Sequence, residues 1–199
     1  RTKVIIPGDF GGEPCAMDAI MEIGQRRGVR VLSDAAHSVG SSYRGRPVGG
    51  IADATAFSFY ATKNMTTGEG GALATDDEML SEHVRRLTLH GITKDGWNRY
   101  AAGGSWRYDI AEFGFKDNLT DLAAALGRRQ LARLDEFNEQ RTRIAQRYFA
   151  NWRNEEHLIL PGFSEENRRA WHRGGGRIKN EQSPVRRDQV IEQLAGRGI

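Results

Sequence analysis

Residues 54–71 read ATAFSFYATKNMTTGEGG, and this stretch decides how the rest of the chain is interpreted. Ala54 to Phe59 is a short apolar run that predicts a buried strand. Lys63 stands just past the end of that strand, and the glycines of 68–71 allow a tight turn after it. An ammonium at such a place needs water or a partner, because burying it alone is costly. Lysines in this position often form an imine with a carbonyl cofactor, but an ordinary solvated lysine is the commoner case.

The sequence around this stretch predicts a parallel α/β domain. Lys3 to Ile6 and Val29 to Leu32 are short apolar strands, and Met17 to Arg27 between them has apolar residues at a helical period. Gly28 provides the C-terminal stop of that helix. A further strand is predicted over 71–74. Strand, helix and strand at this spacing are typical of a parallel sheet, whose ligands bind beyond the carboxyl ends of the strands.

The second half of the chain is predicted to be mainly helical. In chain order we expect a helix over 76–89, one long helix from Thr120 to about Trp152 in which Gly127 is a weak point, a short strand over 158–161 and a short helix over 188–194. The intervening segment 91–114 is a long connection, and such loops are usually functional or lie at an interface. Its aromatic candidates for core or interface packing are Trp97, Tyr100, Trp106 and Tyr108.

Length, charge and cysteine content restrict the class of protein. The 199 residues suffice for one good-sized domain, or for one domain and part of another. The net charge is +3, but the arginines occur as scattered pairs on polar helical faces, which favours a solvated surface over a nucleic-acid stripe. No apolar run is long enough to cross a membrane, and the single Cys15 excludes an internal disulfide and is typical of a reducing cytoplasm. No metal site is predicted, and no Gly-x-Gly-x-x-Gly opens a helix after the first strand.

Asp34 and Lys63 each follow a strand of the predicted sheet. A carboxylate and a primary amine on neighbouring strand ends are what pyridoxal phosphate (PLP) requires. The amine binds the aldehyde of the cofactor. The carboxylate keeps the pyridine nitrogen protonated, so that the ring can accept electrons from a substrate carbanion. From the spacing alone, a structural salt bridge between the two side chains is the other open interpretation.

Several ordered motifs carry a more specific signal. They are Asp34-Ala35-Ala36-His37, the segment 58–64 with Gly68-Glu69-Gly70-Gly71 after it, Leu89-His90-Gly91, and the segment 114–121. Together these motifs resemble the DegT/DnrJ/StrS family of PLP-dependent sugar aminotransferases. The resemblance runs from about Thr2 to about His172. After that point the glycine-rich segment 173–176 replaces the apolar strand that the family pattern leads us to expect.

The resemblance implies a role for each of five residues. Lys63 would bind the cofactor aldehyde and later move the substrate proton, and Asp34 would pair with the ring nitrogen. His37 matches a His or Gln position that lies against the cofactor near its 3-hydroxyl, and Ser58 matches a phosphate-binding hydroxyl. Asn118 matches a residue that reaches the phosphate of the neighbouring subunit's cofactor, which implies a homodimer. Lysine at position 63 favours amino transfer, because relatives with histidine there are sugar dehydratases.

The resemblance also implies the fold and the reaction. We expect an α/β protein whose large domain is a three-layer α/β/α structure of the aspartate-aminotransferase type, PLP transferase fold type I. The expected division places a PLP-binding large domain, without its N-terminal portion, at 1–135. The linking helix and an incomplete small C-terminal domain would occupy 136–199. The expected reaction transfers an amino group from an amino acid, with glutamate as the expected donor, to a nucleotide-linked keto sugar in the cytoplasm.

A second function stays open beside this one. By the resemblance, an N-terminal portion of the family and a later substrate-contacting segment lie outside this sequence. The chain would then be a catalytically inactive fragment that acts at most as a binding or oligomerisation module. The intact Lys63, Asp34, Ser58 and Asn118 favour the enzyme, whereas the missing segments favour the inactive module.

Overall fold

The computed structural model describes residues 1–92, 109–162, 164–179 and 183–199. Its elements in chain order are β1 (Val4–Ile5), α1 (Met17–Arg27), β2 (Arg30–Asp34), β3 (Ser42–Tyr43), β4 (Arg46–Pro47), β5 (Ala54–Ser58), β6 (Gly71–Ala74), α2 (Glu78–Leu87), α3 (Asp121–Leu131), α4 (Leu134–Trp152), β7 (Leu158–Ile159), β8 (Arg177–Ile178) and α5 (Arg187–Ala195). The aromatic residues proposed for the long connection, at 97, 100, 106 and 108, lie outside the described residues.

A mixed sheet with the strand order β1-β2-β5-β6 forms the centre of the fold. β1, β2 and β5 are parallel, which confirms the predicted parallel unit around α1. β6 runs antiparallel to β5, with Ser58 opposite Gly71. The chain must therefore reverse within residues 59–70. Lys63 consequently lies in a short return loop at the carboxyl end of β5.

The core lies between α1 and the sheet. Met17, Val31 and Tyr43 form its buried centre, as expected for the apolar face of an amphipathic helix packed on a strand. Gly24 faces β2 from within α1, and a Cβ there would lie 2.9 Å from Val31 Cγ2 and from Val29 O. This close approach packs α1 directly against the first residues of β2.

The predicted helix termini are confirmed where the sequence provides a cap. Gly28 adopts a left-handed conformation with φ of 61° and ends α1. The carboxylate of Asp77 accepts the backbone N–H of Leu80 at 3.0 Å and begins α2. The hydroxyl of Thr120 accepts the backbone N–H of Ala123 at 3.2 Å and begins α3.

The prediction of one long helix from Thr120 to Trp152 is wrong. The structure contains two helices, α3 and α4, which separate at Ala132 and Arg133. The break is not at Gly127. That residue is buried within α3, where a Cβ would lie 2.9 Å from Thr67 Cγ2. Arg133 leaves the helical conformation with φ of −112° and ψ of 3°. The guanidinium of Arg133 packs over the ring of Phe137, 4.7 Å from its centroid, and this contact accompanies the new helix start.

Residues after α4 form a small separate sheet and a last helix. β7 and β8 pair antiparallel, with Leu158 opposite Ile178, so a strand does follow the glycine-rich segment 173–176. The predicted short helix near the C-terminus is confirmed as α5. The proposed domain division at residue 135 stays a prediction. Within the described ranges, no helix is both long and apolar enough to cross a bilayer, and no group of acidic, histidine or cysteine side chains is arranged to hold a metal ion.

Candidate functional site

Asp34 is the last residue of β2 rather than a residue beyond it, and it lies beside Ala56 of β5. Its backbone N–H donates to Pro7 O at 2.8 Å, and its carbonyl accepts the N–H of Asp9 at 3.0 Å. The backbone is thus fixed between the loop after β1 and the strand β5. The side chain is exposed, and its Oδ1 accepts the N–H of Ala36 at 3.0 Å. The carboxylate is therefore available at the sheet edge where ligands of such folds bind.

Lys63 is half-buried in the return loop between β5 and β6. Its backbone N–H donates to Tyr60 O at 2.9 Å, and Thr67 N–H donates to Phe59 O at 2.9 Å, which closes the loop. Gly68 allows this closure with a φ of 81°. In the part of the chain that the structure describes, Asp34 and Lys63 form no ion pair with each other. The salt-bridge interpretation left open by the sequence is therefore not supported.

His37 is close enough to Asp34 and Lys63 for both charges to affect its pKa. Burial lowers the pKa of His37, and the positive charges of Lys63 and Arg173 lower it further, while the Asp34 carboxylate acts in the opposite direction. The imidazole stacks on His172, with ring centroids 4.3 Å apart and an interplanar angle of 29°. Both charged groups named by the sequence thus act on one imidazole, which brings Asp34, His37 and Lys63 into one locality.

A buried polar network supports this locality, and the sequence analysis assigned it no role. Asn64, the residue after Lys63, donates from Nδ2 to Asn138 Oδ1 at 2.8 Å and to Ala170 O at 2.6 Å. Its Oδ1 lies 3.2 Å from Nδ1 of His172. Asn64 and Asn138 are 2% and 1% exposed, so every polar atom here needs a partner. The quoted motif contained Asn64, but only folding could reveal partners 74 and 106 residues away in sequence.

Asp9 and Ser38 form a second buried contact beside Asp34. The Asp9 carboxylate accepts the Ser38 hydroxyl at 2.7 Å and the Cys15 N–H at 2.9 Å. Burial raises the pKa of Asp9, and the nearby Asp34 carboxylate adds to that increase. The contact holds the residue after His37 against the loop that follows β1.

Ser58 and Asn118 lie outside the group of residues around His37, and their contacts are with other parts of the chain. Ser58 ends β5 and is half-buried, and its hydroxyl accepts the Tyr60 N–H at 3.4 Å. Asn118 is exposed beside an open cleft of about 590 Å³ whose lining includes Thr67 and Gly70. Among the described contacts, none joins Asn118 to Asp34, His37 or Lys63. The chain thus places Asn118 near the return loop but not against the amine.

The residues at this sheet edge fit PLP by their chemistry. An exposed carboxylate suits a protonated pyridine nitrogen, and a half-buried amine without an ion pair to Asp34 suits an aldehyde. The imidazole of His37 presents a flat polar ring, and Ser58 presents a hydroxyl at the end of the adjacent strand. The donor set therefore contains a complement to each of the cofactor's main functional groups except part of its phosphate.

A family model for the DegT/DnrJ/EryC1/StrS aminotransferases matches residues 1–199. The chain belongs to this family. The match extends past His172, where the sequence resemblance was expected to end, so that expected boundary is wrong. The glycine-rich segment 173–176 stands within the family pattern, and the β7–β8 pairing explains how the chain continues there.

Curated relatives match nearly the whole chain. The spore coat polysaccharide biosynthesis protein SpsC of Bacillus subtilis is 47% identical over 194 residues, which are 98% of this chain and 50% of SpsC. The uncharacterized protein MJ1066 of Methanocaldococcus jannaschii is 43% identical over 199 residues, which are 52% of that protein. This chain spans about half the length of the curated relatives it matches.

Solved structures confirm the fold class. Spr1654 of Streptococcus pneumoniae, assigned as a sugar aminotransferase, superposes in its PLP form with a TM-score of 0.86 at 33% identity, covering 100% of this chain and 53% of that one. Helicobacter pylori PseC, an aminotransferase of pseudoaminic acid biosynthesis, gives a TM-score of 0.90 at 26% identity, with 51% of its chain covered. The fold is that of the PLP-dependent sugar aminotransferases, fold type I. Spr1654 is also known in its PMP form, and the predicted cofactor, PLP, is the one this family uses.

Proposed function

We propose that this chain supplies the catalytic lysine and the pyridine-binding carboxylate of a PLP-dependent aminotransferase acting on a nucleotide-linked keto sugar, with glutamate as the amino donor. One observation carries the proposal. Asp34 ends β2, and Lys63 lies in the loop at the carboxyl end of the neighbouring β5. Both are near enough to His37 to affect its pKa, yet they form no ion pair with each other. The arrangement leaves a carboxylate and an amine separately available beside one aromatic ring.

Each residue of the locality has a defined task in this proposal. Bound PLP would supply an electron sink for the carbanion that forms when the donor loses its α-proton. Lys63 would bind the cofactor aldehyde and, once released by the donor, move that proton. Asp34 would hold the proton of the pyridine nitrogen by charge. His37 would lie against the cofactor ring, and Ser58 would bind a phosphate oxygen.

The sugar substrate is inferred from the relatives. SpsC is named for polysaccharide biosynthesis and PseC for pseudoaminic acid biosynthesis, so both act on sugar pathways. A nucleotide-linked keto sugar is the substrate class that the family resemblance implies. We extend that class to this chain because Lys63 stands where lysine accompanies amino transfer.

The exposed residues Phe113, Phe115, Asn118, Leu122 and Leu126, here called the Asn118 surface, support a homodimer as the active form. Phe113 is fully exposed, Leu122 is 86% exposed and Phe115 is 63% exposed. Several large, exposed apolar side chains close to Asn118 in the chain are a pattern typical of an interaction site. A second copy covering this surface would bring its own cofactor towards Asn118, in line with the family role of that residue. The proposed location of the enzyme is the cytoplasm.

A catalytically inactive module is the competing function. It is favoured by a specific observation, the coverage of only about half of the relatives' length. In that case the Asn118 surface could still form a dimer, but Lys63 would not bind PLP stably. The two functions therefore differ in one measurable property, which is the chemical state of the Lys63 amine in the presence of PLP.

Reductive trapping tests the proposal. The protein is incubated with PLP, reduced with borohydride and digested, and the modified peptide is identified by mass spectrometry. We expect the phosphopyridoxyl group on Lys63, its loss in Lys63→Ala, and no change in the control Lys3→Ala, whose lysine is exposed. Release of 2-oxoglutarate from glutamate tests the donor. Modification scattered over surface lysines, or absent from residue 63, would exclude the enzyme and leave the inactive module.

A further inference from the structure

The polar network around Asn64 fixes the orientation of each of its side chains. The carbonyl of Ala170 can only accept a hydrogen bond, so the atom of Asn64 that lies 2.6 Å from it must be Nδ2. The same reasoning at Val39 O, 3.2 Å away, assigns Nδ2 of Asn138. Oδ1 of Asn138 then accepts from Asn64 at 2.8 Å. Neither amide can be rotated without facing oxygen to oxygen.

This orientation determines the proton position on His172. Oδ1 of Asn64 lies 3.2 Å from Nδ1 of His172 and needs a donor, so Nδ1 carries the proton. Burial is the largest cause that lowers the pKa of His172 to about 4, followed by the positive charges of His37, Lys63, Arg173 and Arg141. The ring is therefore neutral near pH 7, and its Nε2 is an acceptor.

His37 has the opposite arrangement. The backbone N–H of Gly11 can only donate, and it lies 3.3 Å from Nδ1 of His37. Nδ1 is therefore an acceptor, and the neutral ring carries its proton on Nε2. The pKa of His37 is lowered, first by burial and then by Lys63 and Arg173, so the neutral form dominates near pH 7. Two stacked imidazoles thus present opposite tautomers to their surroundings.

We propose that His172 is a positioning residue, which holds the His37 ring by stacking on it and is itself held by Asn64 and Asn138. The consequence is a fixed Nε2–H on His37, a donor for an anionic oxygen of the ligand. The identity of that ligand as PLP rests on the proposed function. The network also couples the His37 ring to the return loop, because Asn64 follows Lys63 directly.

Close packing around Asn138 and His37 restricts how their side chains can be oriented. Gly40 approaches Asn138 so closely that a Cβ there would lie 2.5 Å from Nδ2. The edge of Phe10 meets His37 on another side, with ring centroids 5.9 Å apart. His37 is consequently bounded by the Gly11 amide, the Phe10 edge and the His172 face. Removing the last of these would free the ring to rotate.

Nitrogen-15 NMR of the cofactor-free protein tests the proton positions directly. The chain has five histidines, and the His37→Gln and His172→Asn variants assign the two rings. We expect His37 as the Nε2–H tautomer and His172 as the Nδ1–H tautomer, both neutral at pH 7. Either ring in the other tautomer, or charged at that pH, would overturn the proposal. Because no PLP is present, this result does not depend on the proposed function.

Two variants of His172 separate the ring from the hydrogen bond. His172→Phe keeps the stack but removes the donor to Asn64, and His172→Asn keeps a donor near the Nδ1 position but removes the stack. His83→Phe, on the exposed side of α2, is the control. We expect tautomer averaging at His37 in His172→Asn and, in both variants, about tenfold weaker PLP binding than in the control, the loss typical of one hydrogen bond to a charged group.

Failure of the proposed function can be distinguished from failure of the positioning role of His172. If the unsubstituted protein takes up no PLP on Lys63, the proposed function fails, while the tautomers measured without cofactor still decide the role of His172. If PLP binds to Lys63 and both His172 variants match the control in affinity and in the His37 spectrum, the positioning role is overturned. Spectral dispersion of each variant confirms that it is folded.

Discussion

The Lys63 cluster and the Asn118 surface differ in how completely this chain satisfies them. The Lys63 cluster is the set of polar residues that support the loop of Lys63 and the neighbouring end of β2, namely Asp9, His37, Asn64, Asn138 and His172. The Asn118 surface is Phe113, Phe115, Asn118, Leu122 and Leu126, as above. In the first, buried polar atoms find partners within the chain at hydrogen-bonding distance. In the second, large apolar side chains face solvent. The chain therefore satisfies the polar side chains of the Lys63 cluster by itself and leaves the apolar residues beside Asn118 exposed.

The largest effect is expected from Asp34, whose exposed carboxylate supplies a negative charge in the neighbourhood of Lys63. Asp34→Asn preserves the shape and removes the negative charge that would hold the pyridine proton. We expect amino transfer from glutamate to fall about 10²- to 10³-fold, the range for a single preorganised electrostatic group. Borohydride trapping of PLP on Lys63 should persist. Asp188→Asn, an exposed carboxylate of α5, should leave turnover unchanged, and full turnover in Asp34→Asn would contradict the assignment.

The next effect concerns the stability of the Lys63 cluster. Asn138→Ala removes the partner of Asn64 and of Val39 O in a buried site. We expect the free energy of unfolding to fall by about 2–4 kcal/mol, because buried groups lose their hydrogen bonds and a cavity is left. Gln140→Ala on the same helix is the control, since Gln140 is exposed and bonds only to Glu136 among the described residues. Urea unfolding curves measure both, and equal midpoints would show that the network contributes nothing.

The Asn118 surface is tested by charge. Leu122→Glu places a carboxylate where a second copy would bury the 86% exposed leucine. We expect the dimer to dissociate at least about tenfold more readily, because a desolvated unpaired charge opposes association. Ile199→Glu is matched in exposure, at 82%, and lies at the C-terminal end. Sedimentation velocity compares the two variants, and an unaltered dimer in Leu122→Glu would place the interface elsewhere.

The same comparison shows what the sequence could predict. The strands and helices that depend on local pattern, such as the strand after Gly70 and the helix ended by Gly28, lie where the sequence predicted them. The roles of Asp34 and Lys63 could be proposed from sequence because each stands at or just past the end of an apolar run that forms a strand. They stay predictions, since the structure gives their places but not their chemistry.

Features that depend on distant partners were not predictable in this way. The break between α3 and α4 falls at Ala132 and Arg133, where no helix-breaking residue stands. It is accompanied by burial of Leu134 and by the Arg133–Phe137 contact, neither of which a local pattern marks. Gly127, expected to be a weak point, is continuous helix because its small size serves the contact with Thr67. The pairing of Asn64 with Asn138 spans 74 residues, and no local period marks it.

The smallest effect is expected from Asp9, whose carboxylate belongs to the Lys63 cluster although burial disfavours its charged form. Its folded pKa is raised, mainly by burial, so the folded state binds a proton more readily than the unfolded chain. The resulting stabilisation is fully present below the unfolded pKa and is lost as pH rises through the folded value. Asp9→Asn keeps an acceptor for the Cys15 N–H and can donate to Ser38 Oγ. We therefore expect the variant to be more stable than the original at pH 7 by about 1 kcal/mol at most, and the two to converge below about pH 3.8, the ordinary value for aspartate. Thermal unfolding across that range measures the difference, and a variant that is less stable at pH 7 would show that the Asp9 carboxylate is favourable in its charged form.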